Sequence, residues 1–191
     1  MTAVSAEAIV IGASAGALET LSLILPALPA AYPLPVLIVV HLPPDKKSFM
    51  TELLQARCRV AVREAEDKAP ISGGTVYFAP PDYHLLVEND RHLTLSDDEP
   101  VLYSRPSIDV LFESAADAYG PGLVGVVLSG ANHDGANGLK AVAKAGGTVI
   151  VQNPDSAYAS TMPEAARQAC PGACLLTPNE IASFLLDIGK V

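Results

Sequence analysis

Residues 8–41 read AIVIGASAGALETLSLILPALPAAYPLPVLIVVH. A short β-branched run, Ala8 to Ile11, gives way to Gly12-Ala13-Ser14-Ala15-Gly16. An apolar stripe at Leu18, Leu21, Leu25 and Leu28 then recurs at helical spacing, predicting a helix up to Pro26 and a short turn beyond it. A second apolar run, Val36 to Val40, follows directly. Strand, helix and strand in this order make a βαβ unit, the building block of a parallel sheet.

The alternation continues outward from this unit. Phe49, Met50, Leu53 and Leu54 form the next helical stripe, and Val60 and Val62 alternate with polar neighbours as a third strand would, so the first half winds as β-α-β-α-β. The middle differs. Thr75 to Phe78 reads as a strand, while His84 to Val87 and His92 to Leu95 flank Glu88-Asn89-Asp90-Arg91 as a hairpin. Regular winding resumes with a helix from Ser107 to about Tyr119, a buried strand Leu123 to Leu128, a helix from about Ala136 to Lys144 and a strand Thr148 to Val151. Thr161-Met-Pro-Glu164 and Thr177-Pro-Asn-Glu180 both carry the capping-box pattern, with Pro178 at the favoured first helical position. The expected fold class is α/β, a doubly wound, mostly parallel sheet with an antiparallel hairpin at one edge. With no internal repeat and no long linker, residues 1–191 are expected to form a single domain.

Composition narrows the function. A chain of 191 residues, 50% of them hydrophobic, can bury a substantial core. Its net charge of −9 opposes nucleic-acid phosphates and anionic headgroups, so neither a nucleic-acid partner nor membrane insertion is expected. The longest apolar runs, such as Leu34 to Val40, are too short to span a bilayer, and Met-Thr-Ala-Val-Ser-Ala-Glu at the start has no basic leader. Cys58, Cys170 and Cys174 are an odd number, and the last two lack a nearby second pair of Cys or His for zinc, which predicts thiols in a reducing compartment, a cytoplasmic protein and no metal; no cofactor is expected either.

In an open parallel sheet ligands bind beyond the carboxyl ends of the strands. Three loops qualify: Gly12 to Gly16, the loop opening with His41-Leu42-Pro43-Pro44, and Ser129-Gly-Ala-Asn-His-Asp-Gly135. They bring Ser14, His41 and Asp134 to one edge. Gly12 to Gly16 fits G-x-S-x-G, a turn that presents a serine hydroxyl; it also fits a plain Gly-rich turn or a dinucleotide loop. Against the dinucleotide stand Ser14 at the central glycine position and His41 where an acid for the ribose is expected. A hydroxyl needs a base to become a nucleophile, and an imidazole is the usual one. His41 can equally cap a buried strand, and Asp134 can be a helix N-cap as well as the acid of a triad. His84 can line the cleft without catalysing, His92 reads as solvated, and His133 is expected to point away from Asp134.

These segments resemble the catalytic domain of the chemotaxis protein-glutamate methylesterases, the CheB-type family. The resemblance spans nearly the whole chain: Ile11-Gly-Ala-Ser-Ala-Gly16, Val39-Val-His-Leu-Pro43, Val76-Tyr-Phe-Ala-Pro80, Arg105-Pro-Ser-Ile-Asp-Val-Leu-Phe112, Val127-Leu-Ser-Gly-Ala-Asn-His-Asp-Gly135, and Ala145-Gly-Gly147 with Met162-Pro-Glu-Ala165. It implies Ser14 as nucleophile, His41 as base, Asp134 as orienting acid, and the backbone amides of Ala15 and Ala131 as oxyanion donors. It also implies a methyl-accepting chemoreceptor or related signalling protein as partner, demethylation of glutamate γ-methyl esters, and the glutamine deamidation that the family also shows. There are departures. The family usually has Thr-Gly-Gly after the nucleophile, where this chain has Ala15-Gly16-Ala17, and Gly-Met-Gly where this chain has Gly130-Ala131-Asn132. Members typically carry an N-terminal receiver domain, which is not expected here. An esterase of altered specificity, a non-catalytic signalling adaptor and a nucleotide-binding domain are the competing readings.

Overall fold

The computed structural model describes residues 5–41 and 49–190; Leu42 to Pro44, read above as part of the loop after the second strand, lie outside them. The elements in chain order are β1 (Ala8–Ala13), α1 (Ala17–Ile24), β2 (Val36–Val40), α2 (Met50–Gln55), β3 (Ala61–Glu64), β4 (Thr75–Phe78), β5 (His84–Val87), β6 (Leu93–Ser96), α3 (Ile108–Tyr119), β7 (Leu123–Val127), α4 (Ala136–Lys144), β8 (Thr148–Gln152), α5 (Thr161–Ala169), β9 (Cys174–Leu176) and α6 (Pro178–Ile188). A short 3-10 turn, Leu25–Ala27, closes the first helix at Pro26, which has no N–H to continue the ladder.

Seven strands form one parallel sheet in the order β3-β4-β2-β1-β7-β8-β9. The central strands β1, β2 and β7 are buried throughout, as their unbroken apolar runs require. Alternation along β1 divides the core. Ile9, Ile11 and Ala13 face a cluster with Leu21 of α1, Leu54 of α2 and Ile181 and Leu185 of α6. Ala8 and Val10 face the opposite cluster, with Leu111 and Phe112 of α3, Leu139 and Val142 of α4 and Ala166 of α5. Helices therefore cover both faces, and the sheet is doubly wound.

The antiparallel hairpin is present, but it forms its own two-stranded sheet of β5 and β6 and does not extend the larger one. The reason is burial. Leu85, Val87 and Leu93 join the cluster under α3, and Ser114 Oγ of α3 accepts from Val87 N at 3.1 Å, so the hairpin lies on a face of the sheet. Helix starts are mixed. Thr177 and Glu180 form the expected capping box on α6, worth about 1 kcal/mol. At α5 the N-cap is Ser160 with no side-chain cap bond, so the pattern at Thr161 and Glu164 is not used as a box.

Candidate active site

The strand order reverses direction between β1 and β7: chain succession runs outward through β2 on one side and through β8 on the other. Such a switch point opens a crevice beyond the carboxyl ends of the strands. Ser14 follows β1, His41 follows β2 and Asp134 lies in the loop after β7, so all three border it. The register is specific. Ala13 pairs with Val40, and His41 N donates to Ala13 O at 3.1 Å, so Ser14 and His41 leave adjacent strands at the same level.

The β1 strand runs two residues further than the sequence suggested, and the turn after it takes its positive φ at Gly16 and not at Ser14. The left-handed residue is Gly16, with φ +81, where an added Cβ would lie 2.6 Å from Tyr158 Cβ. Ser14 N donates to Ser129 O at 2.9 Å, and Ser129 Oγ donates to Ala15 O at 2.6 Å, which ties the turn to the loop after β7. At Gly12 any side chain would collide with that of Ile108, so this glycine lets the start of α3 pack onto the end of β1.

That close approach fixes the acid. Asp134 is fully buried and does not cap its own helix α4, whose N-cap is Gly135 with no side-chain bond. Its carboxylate turns instead to the start of α3: Oδ1 accepts from Ser107 Oγ at 3.0 Å and from Asp109 N at 2.9 Å, and Oδ2 accepts from Ile108 N at 2.7 Å. His41 Nε2–H donates to the same Oδ2 at 2.7 Å. Burial pushes the Asp134 carboxyl up, but the bonds from His41 and from the Asp109 and Ile108 amides outweigh it and hold it below the ordinary carboxylate range. The group is an anion set against a helix N-terminus, where positive potential favours it.

Asp109 returns the cap. Its Oδ1 accepts from Gly135 N at 2.9 Å and Gly138 N at 2.7 Å, at the start of α4. Burial, together with the charge of Asp134, raises it to about 6 against the lowering effect of those amides. Behind this pair, His84 is buried; its Nδ1 accepts from Ser107 N at 3.1 Å and its Nε2–H donates to Glu99 O at 3.0 Å. His84 thus supports the support of Asp134. His92 is part exposed beside Asp90, and His133 is exposed, with no side-chain hydrogen bond to Asp134 among the described residues.

His41 is 11% exposed at its side chain. With Nε2 committed to Asp134, Nδ1 is the nitrogen left to act as a base. Asn132 Nδ2 lies 3.2 Å from it. Among the described residues Ser14 Oγ makes no hydrogen bond to His41. Of the oxyanion candidates, Ala15 is half-buried and Ala131 exposed, and no described residue accepts from either amide, whereas the neighbouring Gly130 N is taken by Ala159 O at 3.1 Å.

Ser107, Asp109, His84 and Asn132 adjoin the candidate site, and the sequence reading did not assign them to it. Ser107 carried a signal, as a serine opening an amphipathic helix; Asn132 lay at a position already noted as departing from Gly-Met-Gly. Among the described residues no group of three or more His, Cys, Asp or Glu is arranged to hold a metal ion, and no helix is long and apolar enough to cross a membrane. Cys58, Cys170 and Cys174 are free thiols.

Comparison with known proteins identifies the family of the chain. A Leptospira interrogans relative, whose name carries the activities protein-glutamate methylesterase and protein-glutamine glutaminase as provisional, is 43% identical over 184 residues, covering 96% of this chain and 95% of its own length. An Archaeoglobus fulgidus protein-glutamate methylesterase/protein-glutamine glutaminase is 38% identical over 161 residues, which is 83% of this chain and 46% of that protein. The catalytic domain of the Thermotoga maritima CheB methylesterase superposes with a TM-score of 0.91 at 30% identity, over 97% of this chain and 100% of that one. The family model for CheB methylesterase matches residues 9–185, from the first strand to the last helix, and the chain belongs to that family.

Proposed function

We propose that this chain hydrolyses glutamate γ-methyl esters on the signalling helices of a methyl-accepting chemoreceptor, and deamidates glutamines there, in the cytoplasm. Ser14 is the nucleophile, His41 the base and Asp134 the acid that orients it. The observation that carries the reading is the 2.7 Å bond from His41 Nε2–H to an Asp134 carboxylate buried at the start of α3, on the strand level from which Ser14 emerges.

The chemistry follows from the atoms. Ser14 Oγ attacks the ester carbonyl as its proton passes to His41 Nδ1, and the imidazolium is balanced by Asp134. The oxyanion forms opposite the amides of Ala15 and Ala131, donors that do not depend on the side chains replaced in this sequence. The C–O bond to methanol breaks with the proton returned from Nδ1, leaving a glutamyl ester on Ser14. Water, activated by the same nitrogen, releases glutamate. With a glutamine side chain the leaving group is ammonia.

A chemoreceptor fragment methylated at its glutamates, incubated with the protein, is expected to release methanol and to lose the mass of one methylene per site. A fragment that keeps its methyl groups, with no methanol above the buffer control, would contradict the proposal.

A further inference from the structure

The amide of Asn132 can be oriented from its two contacts. Oδ1 accepts from Asp134 N at 3.1 Å, which an NH2 group cannot do, so the group facing His41 Nδ1 at 3.2 Å is the Nδ2 donor. His41 gives its other ring proton to Asp134, which leaves Nδ1 with a lone pair. Donor meets lone pair, and the three contacts agree on one tautomer of a neutral imidazole.

That lone pair is the one Ser14 must use. We infer that Asn132 is a latch on the base: in the resting protein its amide occupies His41 Nδ1, and attack requires the exchange of Asn132 for the Ser14 hydroxyl. This rests on the triad assignment above and adds to it a positioning residue. The latch also opposes the step it precedes. Once Nδ1 has taken the serine proton, an N–H faces the Asn132 NH2 and the two donors repel, so the amide must have turned away before the imidazolium forms. Tight docking of substrate over the loop after β7 is then the event that releases the base.

The test uses the whole chain and two variants. Asn132→Gly removes the side chain. Asn132→Ser keeps a short oxygen acceptor for Asp134 N but cannot reach His41, so it controls for loss of the turn. The first readout is the rate of Ser14 labelling by a small phosphonate, too small to dock as a receptor helix does. Losing one neutral hydrogen bond from the resting state should speed labelling by roughly fivefold in both variants. The second is the 15N resonance of His41 Nδ1, which should move towards that of a free imidazole nitrogen while Nε2 stays in place. An unmoved Nδ1 resonance overturns the contact. A moved resonance with labelling no faster overturns the latch and leaves the triad standing. No labelling of wild type or variants overturns the triad, and the latch with it.

Discussion

At the scale of the residue, Asp134 carries more than its place in a triad. Both of its oxygens are fully used by donors from Ser107, Ile108, Asp109 and His41. Asp134→Asn must turn an NH2 group towards at least one of those donor pairs. Ester hydrolysis should fall by roughly 10³ to 10⁴ through loss of the imidazole's orientation and counter-charge. Stability should fall too, by about 1–3 kcal/mol, because buried donors are left unpaired. Methanol release and thermal unfolding on the same preparation check both, and full activity with only a lower Tm would make Asp134 purely structural. That Ser14, His41 and Asp134 share one edge of the sheet was legible in the sequence, because a serine, a histidine and an aspartate stood at three strand ends. The contact of Asn132 was not legible, and Ser107 was so only as a helix start, since their partners at the site lie 91 and 27 residues away along the chain.

Among the elements, α3 and α4 are joined by an exchange of caps: Asp134, just before α4, serves the start of α3, and Asp109 in the first turn of α3 serves the start of α4. The exchange has a pH signature. Asp109 is raised from 3.8 to about 6, so the fold favours its protonated form; the stability this contributes is present below 3.8 and is lost as pH rises through about 6. Asp109→Asn mimics the protonated carboxyl and lacks that loss. Between pH 4 and 7 the wild type should therefore decline relative to the variant by about 2–3 kcal/mol, read from denaturant unfolding at each pH. Parallel curves would contradict it. Local signals of this kind were only partly legible. The Thr177 box was read correctly because Pro178 fixed the first helical position, whereas at α5 Ser160 took the cap and moved Thr161 inside the helix. The strand β9, Cys174–Leu176, went unread because three residues are too few to show a period.

For the whole molecule, the parallel sheet and its two covered faces followed from apolar runs and helical stripes, but the strand order did not. Nothing in Val62 or Val76 says that β4 inserts between β3 and β2, or that the hairpin lies under α3, because both are set by packing between distant segments. The order matters to function, since it puts the switch point between β1 and β7, where a crevice is expected, and brings Ser14, His41 and Asp134 to that edge of the sheet. The central claim is that Ser14 in that crevice is the nucleophile. The direct measurement is the rate of methanol release from a methylated chemoreceptor fragment by the wild type and by Ser14→Ala. A fall on the order of 10⁴ to 10⁶ with an unchanged Tm is expected from removal of a triad nucleophile; a variant that keeps about a tenth of the wild-type rate would contradict the account, since losing a true nucleophile costs far more.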